Sequence, residues 1–224
     1  MNGNKNSIID DRLRLCASFV RDGSRLADIG TDHAYLPVWL CRIGKCSCAI
    51  AADVNPEPLK RGYETIADAD MTDLVKTRLS DGLKEINIDE ADDIVIAGMG
   101  GELIAKIISE SAFKNDSSKH FILQPMTKSE YLIKWLCDNG FSIIKQDCCV
   151  AAKKCYTVIL AKYTGEAISC DEMYYYIGKL KPEENEIHSL FVQNHITRLL
   201  KKAKGDIHYS ELADELKESL NKSR

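Results

Sequence analysis

Phe141-Ser-Ile-Ile-Lys-Gln-Asp-Cys-Cys-Val150 and Cys155-Tyr-Thr-Val-Ile-Leu-Ala-Lys-Tyr163 are two strand-like runs, separated only by Ala151-Ala-Lys-Lys154. Parallel neighbours need a crossover of a dozen or more residues, usually a helix. No helix fits in this gap, so the two runs are predicted to pair antiparallel. Upstream the pattern is different. Arg25–Gly30, Cys48–Asp53, Leu74–Ser80, Asp92–Gly98 and His120–Gln124 read as short buried strands. Helical stretches over 33–44, 56–69, the residues after Gly98 to about Glu110, and 128–139 alternate with them. Alternating strands and helices predict a parallel sheet with right-handed crossovers. The expectation is an α/β fold with a mostly parallel seven-stranded sheet that ends in an antiparallel hairpin. That ending separates it from a plain dinucleotide-binding domain.

The flanks of this unit are helical. Leu13, Cys16, Ala17 and Val20 stand at helical spacing within 10–22, and Asp22-Gly23-Ser24 stops the run. Beyond Thr164-Gly165 no strand pattern remains. Val192, Ile196, Leu199 and Ala203 form one apolar stripe, and Tyr209, Leu212, Ala213, Leu216 and Leu220 another. Gly205 between them can cap the first. Two amphipathic helices on a short turn predict a small coiled-coil-like hairpin. The chain is therefore divided into residues 1–165 and 166–224.

Composition narrows the class. The 224 residues are 45% hydrophobic and 29% charged, which suits a globular chain with one full core and a small addition. No apolar run approaches the roughly 20 residues of a membrane span, and Met1 to Asp11 has no apolar signal region, so the expected location is cytoplasmic. The nine cysteines lack any C-x-x-C pair, so neither zinc nor another metal is expected, and several lie in apolar runs. The net charge of −4 does not announce a nucleic-acid partner, though a local patch suffices for one.

Chemistry concentrates at the ends of the first strands. Asp28-Ile-Gly-Thr-Asp-His-Ala-Tyr35 crosses the first strand–helix turn. Of a G-x-G-x-x-G signature only Gly30 is present; Asp32 and Tyr35 stand where the other glycines would be. An acidic turn repels pyrophosphate and suits a ligand that carries a sulfonium and an ammonium, which favours S-adenosylmethionine over NAD. Asp53, with Val54 after it, ends the second strand at the place of a ribose-binding carboxylate. Asp81-Gly82 follows the third, where a carboxylate can accept from an adenine amino group. Each aspartate alone is as well read as a cap or turn residue. Gly98-Met-Gly-Gly101 follows the fourth strand and lacks the Asn/Asp-Pro-Pro-aromatic clamp that grips an exocyclic amine.

Leu26-Ala-Asp-Ile-Gly-Thr-Asp-His-Ala-Tyr-Leu-Pro37, Ile96-Ala-Gly-Met-Gly-Gly101 and Ile122-Leu-Gln-Pro-Met126 together resemble the bacterial tRNA (adenine-22-N1)-methyltransferase family. The resemblance spans about 10–165, and the helical tail fits the family's layout. It departs in the final hairpin: Thr157 follows Tyr156 where an acidic residue is expected, and Ala151-Ala-Lys-Lys154 lacks an acidic start. The resemblance implies a Rossmann-like class I methyltransferase fold, S-adenosylmethionine as cofactor and tRNA as partner. It also implies that the C-terminal helices help to hold the tRNA. A monomer is expected.

The implied reaction needs no strong base, because adenine N1 carries a free lone pair, so catalysis is by positioning. The N1 edge pairs in a helix, so the base must be unpaired or extruded. Asp32 is a candidate to stabilise the cationic product or to hold the cofactor's amino group. Tyr35 is placed to stack on the base or to pack in its helix, and His33 to contact phosphate or cap that helix. Gln124 has donor and acceptor for an adenine edge. Arg198, Lys201, Lys202 and Lys204 gather four of the tail's nine Lys or Arg, against eleven acidic residues there. They read as a solvated face or, with the resemblance, as phosphate contacts. Competing readings are a methyltransferase for another base or a small molecule, and a non-catalytic RNA-binding module on the same fold.

Overall fold

The computed structural model describes residues 9–221. Seven strands form one sheet: β1 (Ser24–Ile29), β2 (Cys46–Asp53), β3 (Val75–Leu79), β4 (Asp93–Gly100), β5 (His120–Thr127), β6 (Phe141–Ala151) and β7 (Lys154–Tyr163). Their order is β3-β2-β1-β4-β5-β7-β6. The first five are parallel neighbours, and β7 runs antiparallel to both β5 and β6. The short link between β6 and β7 forces this, since the chain can only fold straight back on itself.

Both faces of the sheet are buried, and the side chains alternate between them. Ala27, Ile29, Ile94, Ile96, Phe121 and Leu123 point to one core, with Ile104 and Ile108 of α4 (Gly101–Ser109) and Leu132, Ile133 and Leu136 of α5 (Ser129–Asp138). Leu26, Val95 and Ile122, one residue out of phase, point to the other core. There they meet α1 (Asp11–Phe19), α2 (Tyr35–Arg42) and α3 (Pro56–Asp68) through Cys16, Leu36, Leu40 and Ile66. Period two with both sides apolar is the signature of a parallel sheet covered twice.

The tail contains the expected two-helix hairpin and adds a helix before it. A short helix, α6 (Glu172–Ile177), precedes α7 (Glu186–Lys202) and α8 (Ile207–Asn221). Both predicted stripes meet in one cluster, with Val192, Ile196 and Leu199 against Leu212, Ala213 and Leu216. Gly205 is not the left-handed cap expected of it: α7 ends at Ala203 with φ −58°, and the Gly205 amide only donates to the Lys202 carbonyl at 3.1 Å. The tail is also docked on the sheet. Phe191 of α7 and Leu180 pack on Cys148 of β6. The Lys179 amide donates to Gln146 Oε1 at 2.9 Å, and His188 Nε2 lies 2.8 Å from Asp147 Oδ1.

Where β4 turns into α4 the backbone of Gly101 lies against that of Lys128. A Cβ on Gly101 would stand 2.2 Å from the Lys128 carbonyl oxygen, which belongs to rigid backbone. Gly101→Ala should therefore lower stability by about 2 kcal/mol or more, as overpacking does. Urea unfolding checks this, with the exposed neighbour Glu102→Ala expected within about 0.5 kcal/mol of wild type.

Candidate active site

In an open α/β sheet the site forms beyond the carboxyl ends of the strands. β1 and β2 end together here, with Ile29 paired to Ala52, and Ile96 lies level with them in β4, which runs on to Gly100. The turn after β1 is drawn tightly onto β2: the Gly30 and Thr31 amides both donate to the Ala52 carbonyl, at 2.8 and 3.0 Å. Gly30 has φ +78° and lies under the Met99 side chain. A cavity of about 330 Å³ opens at this turn, lined by Asp28, Gly30, Asp32, His33, Tyr35 and Gly98 among others. These six sequence-predicted residues thus converge.

Asp28 is buried at the end of β1. Desolvation pushes its carboxyl up to about 6, while a hydrogen bond from Thr31 and the charge of Arg12 partly offset that. Asp32 is a different carboxylate. Arg61 of α3 reaches it at 2.5 Å and His33 Nε2 lies 3.4 Å away. The Arg61 hydrogen bond holds it below the usual carboxylate range, so it stays ionised. His33 does not cap α2. The Thr31 hydroxyl accepts from the Ala34 amide at 3.1 Å, and Ala34 itself takes the left-handed N-cap position at φ 55°. His33 stacks instead on Tyr35, ring centroids 5.0 Å apart and 12° from parallel. Tyr35 is 38% exposed and lines the cavity.

The expected contact of Gln124 with an adenine edge is overturned by the way the amide is used. Gln124 is fully buried. Its Oε1 accepts from Arg12 Nη1 at 2.7 Å and from the Gly98 amide at 3.1 Å, and its Nε2 donates to the Pro125 carbonyl at 2.9 Å. The cause is a bulge in β4. The β4–β5 register shifts between Ala97 and Met99, where Gly98 has φ +82°. A bulge takes an amide out of the ladder, and Gln124 gives it a partner. Pro125, which has no amide to contribute, occupies the matching place in β5.

Arg12 was missed as a site residue. It sits beside the α1 stripe and reads there as a solvated charge, yet its guanidinium enters the cavity between Gln124 and Asp28. Arg61 was missed for the same reason. The three strand-end aspartates do not share one cavity. Asp53 accepts from the Asn55 amide at 2.8 Å in a local turn, and Val54 is exposed beside it. Asp81 pairs with Lys84 at 2.5 Å and lines a separate small cavity with Leu83 and Ile107, the residue that a Cβ on Gly82 would touch. Lys84 keeps Asp81 below the usual range. β3 still adjoins β2 at this end, since the Ser80 amide donates to the Asp53 carbonyl at 2.9 Å. The tail cations also part. Arg198 lines a cleft facing the β6–β7 turn, Lys202 lies 5.3 Å from the Tyr209 ring centre, and Lys201 and Lys204 are exposed. Among the described residues no group of His, Cys, Asp and Glu could hold a metal ion.

The site is thus a cavity lined by the Asp28 and Asp32 carboxylates and the Arg12 guanidinium, with Arg61 of α3 paired to Asp32. The raised Asp28 carboxyl has a stability consequence. Between its unfolded value of 3.8 and about 6 the folded chain holds the extra proton, so stability falls as pH rises through that window and the deficit persists above it. Asp28→Asn removes the buried charge. It should be more stable than wild type by roughly 1–3 kcal/mol at pH 8, and the difference should close towards pH 4. Equal thermal melts of the two proteins at pH 8 would contradict the burial cost.

Comparison with known proteins identifies the family. Residues 9–159 match the methyltransferase domain family. A tRNA (adenine(22)-N(1))-methyltransferase of Bacillus subtilis is 34% identical over 154 residues, 69% of this chain and 65% of the relative. This chain thus aligns with just under two thirds of that curated relative, and with 53% of a putative tRNA methyltransferase of Mycoplasma pneumoniae. Solved structures match over more of the length. A putative tRNA (m1A22) methyltransferase of Streptococcus pneumoniae, in complex with S-adenosyl-L-methionine, is 30% identical with a TM-score of 0.86 over 95% of this chain and 99% of that one. The B. subtilis m1A22 tRNA methyltransferase TrmK superimposes with a TM-score of 0.79 at 27% identity, over 95% and 96% of the two chains. The chain therefore belongs to the methyltransferase domain family, in the group that contains the bacterial tRNA (adenine-22-N1)-methyltransferases.

Proposed function

We propose that this protein transfers a methyl group from S-adenosylmethionine to N1 of an adenine in tRNA, at position 22 as in its relatives. The observation that carries the reading is the cavity beyond β1 and β4, which Asp28, Asp32 and the Arg12 guanidinium line together. The donor set fits the cofactor: carboxylates for its cationic groups and Arg12 for its carboxylate. Asp53 and Asp81, with Val54 and Gly82 beside them, extend the site along the ends of β2 and β3 towards the ribose and adenine.

When bound, the cofactor supplies an electrophilic methyl group, and the attacking N1 supplies its own electron pair. The protein positions, and it removes no proton. Tyr35 and His33 form a stacked pair at the cavity mouth, on which an extruded base can lie. Asp32, kept ionised by Arg61, is the carboxylate that can face the positive charge arriving on the purine. Gln124 acts behind the site, by holding Arg12 and the Gly98 bulge in place. Residues 1–165 bind the cofactor and 166–224 contact tRNA, with Arg198, Lys201, Lys202 and Lys204 among the phosphate contacts. The proposed protein is a monomer of the cytoplasm; separately, no helix among the described residues is long and apolar enough to cross a membrane.

The test is mass spectrometry of digested tRNA after incubation with the cofactor. 1-Methyladenosine is expected; N6-methyladenosine alone at early times would refute the assignment. Asp53→Ala and Arg12→Ala should each weaken cofactor binding by roughly 1–3 kcal/mol in calorimetry, the cost of a lost charged hydrogen bond. Affinity should also fall as pH drops through about 6, where Asp28 takes up a proton and loses the charge that attracts a cationic ligand. Affinity that is flat between pH 7.5 and 5 would exclude Asp28 from that role.

A further inference from the structure

β5 and β7 are paired over three residues only, Phe121–Leu123 against Ile159–Ala161. Beyond that point the two strands part, β5 running on to Thr127 while β7 arrives from Lys154. α7 lies over the opening, fixed by Phe191 on Cys148 and by His188 on Asp147. The result is a cleft of about 420 Å³ between the end of β5, the start of β7 and α7. Its charge sets it apart. Lys153, Lys154 and Arg198 line it and no acidic residue does, in a chain whose net charge is −4. Four further cavities each carry two or more carboxylates. The cleft also adjoins the active site through one short segment. Pro125 and Met126 form its wall, and both are bonded to the Gln124 amide that holds Arg12 and Gly98 on the other side.

We propose that this cleft between the β6–β7 turn and α7 is the channel for the RNA backbone that flanks the target nucleotide, with Lys153, Lys154 and Arg198 on its phosphates. The inference rests on the reading of the protein as a tRNA methyltransferase. An extruded base brings its own backbone with it, so the phosphates on one side must leave the active site along the protein surface. A positive groove set beside the site, across the end of β5, is what such a strand follows. Tyr156, half-buried in the same lining, offers a ring to a neighbouring base. The two lysines are held at the tip by a turn that fixes their direction: Ala152 and Lys153 have φ of 46° and 64°. The hairpin tip thereby has a use in a chain whose Ala151-Ala-Lys-Lys154 loop lacks the acidic start that the resemblance implies.

Two variants of the full-length protein test this. The first, Lys153→Ala with Lys154→Ala and Arg198→Ala, removes three exposed cations that support no core contact. The second, Thr197→Trp, fills the cleft from an exposed position on α7 and leaves every charge in place. For the triple variant the expected result is a KM for tRNA raised about tenfold or more, with kcat within about twofold and cofactor binding unchanged. The salt dependence of tRNA binding should also flatten by roughly 0.7–0.9 per lost contact. Thr197→Trp should raise the same KM without changing the cofactor affinity. A triple variant with wild-type KM and salt slope overturns the channel. So does a Thr197→Trp protein with wild-type KM, since the cations would then act only through their distant field. In either case 1-methyladenosine formed by the wild-type protein leaves the functional reading standing, whereas its absence fails that reading instead.

Discussion

One buried amide carries much of the site. Gln124 lies in β5 with no exposure to solvent, and its oxygen must find partners or cost the protein several kcal/mol. It takes two, the Arg12 guanidinium from α1 and the Gly98 amide from the β4 bulge. Through that oxygen the N-terminal helix, the fourth strand and the fifth strand share a single fixed point. The bulge lets β4 swing into the glycine turn, and the turn lets α4 start against the backbone of Lys128. The cavity on one side of Gln124 and the cleft on the other both depend on this arrangement.

The two aspartates of the cavity show how environment divides a pair of like groups. Asp28 is buried and pays a desolvation cost that raises its carboxyl to about 6. Asp32 stands four residues on, exposed and paired with Arg61, and is held low. A carboxylate kept poorly solvated interacts more strongly with an arriving cation than one in water does. The instability stored at Asp28 is therefore of the kind that a cationic ligand relieves. Asp32 is preorganised instead, its position fixed by a partner on another helix before any ligand arrives.

The tail is joined to the core through the antiparallel end of the sheet. β6 is an edge strand, which a protein must cover or blunt. Here α7 and the segment before it cover its end, through Phe191 and Leu180 on Cys148 and through two polar links from Lys179 and His188. Docking thus serves packing first. It also sets α7 at a defined distance from the β6–β7 turn, and that distance is the width of the cationic cleft.

Sequence alone determined the parallel sheet, its seven strands and the antiparallel hairpin. Those follow from local rules: alternating burial along each strand, helix-length spacers between parallel strands, and a link after Val150 too short for a crossover. It also determined that Asp28, Gly30, Asp32, His33, Tyr35 and Gly98 belong together, because strands read in parallel must place their carboxyl ends side by side. The roles within that group were decided by tertiary structure. Gln124 looks like a free amide at a strand end until the β4 bulge, a mismatch between two strands, claims its oxygen. Arg12 and Arg61 look like solvated charges on helices until the packing of α1 and α3 turns them towards Gln124 and Asp32. Lys153, Lys154 and Arg198 lie 44 or more positions apart from hairpin tip to helix, and no periodicity links them. They meet because β5 and β7 part after three pairs and α7 closes the gap, which is a property of strand geometry and docking that no local pattern encodes.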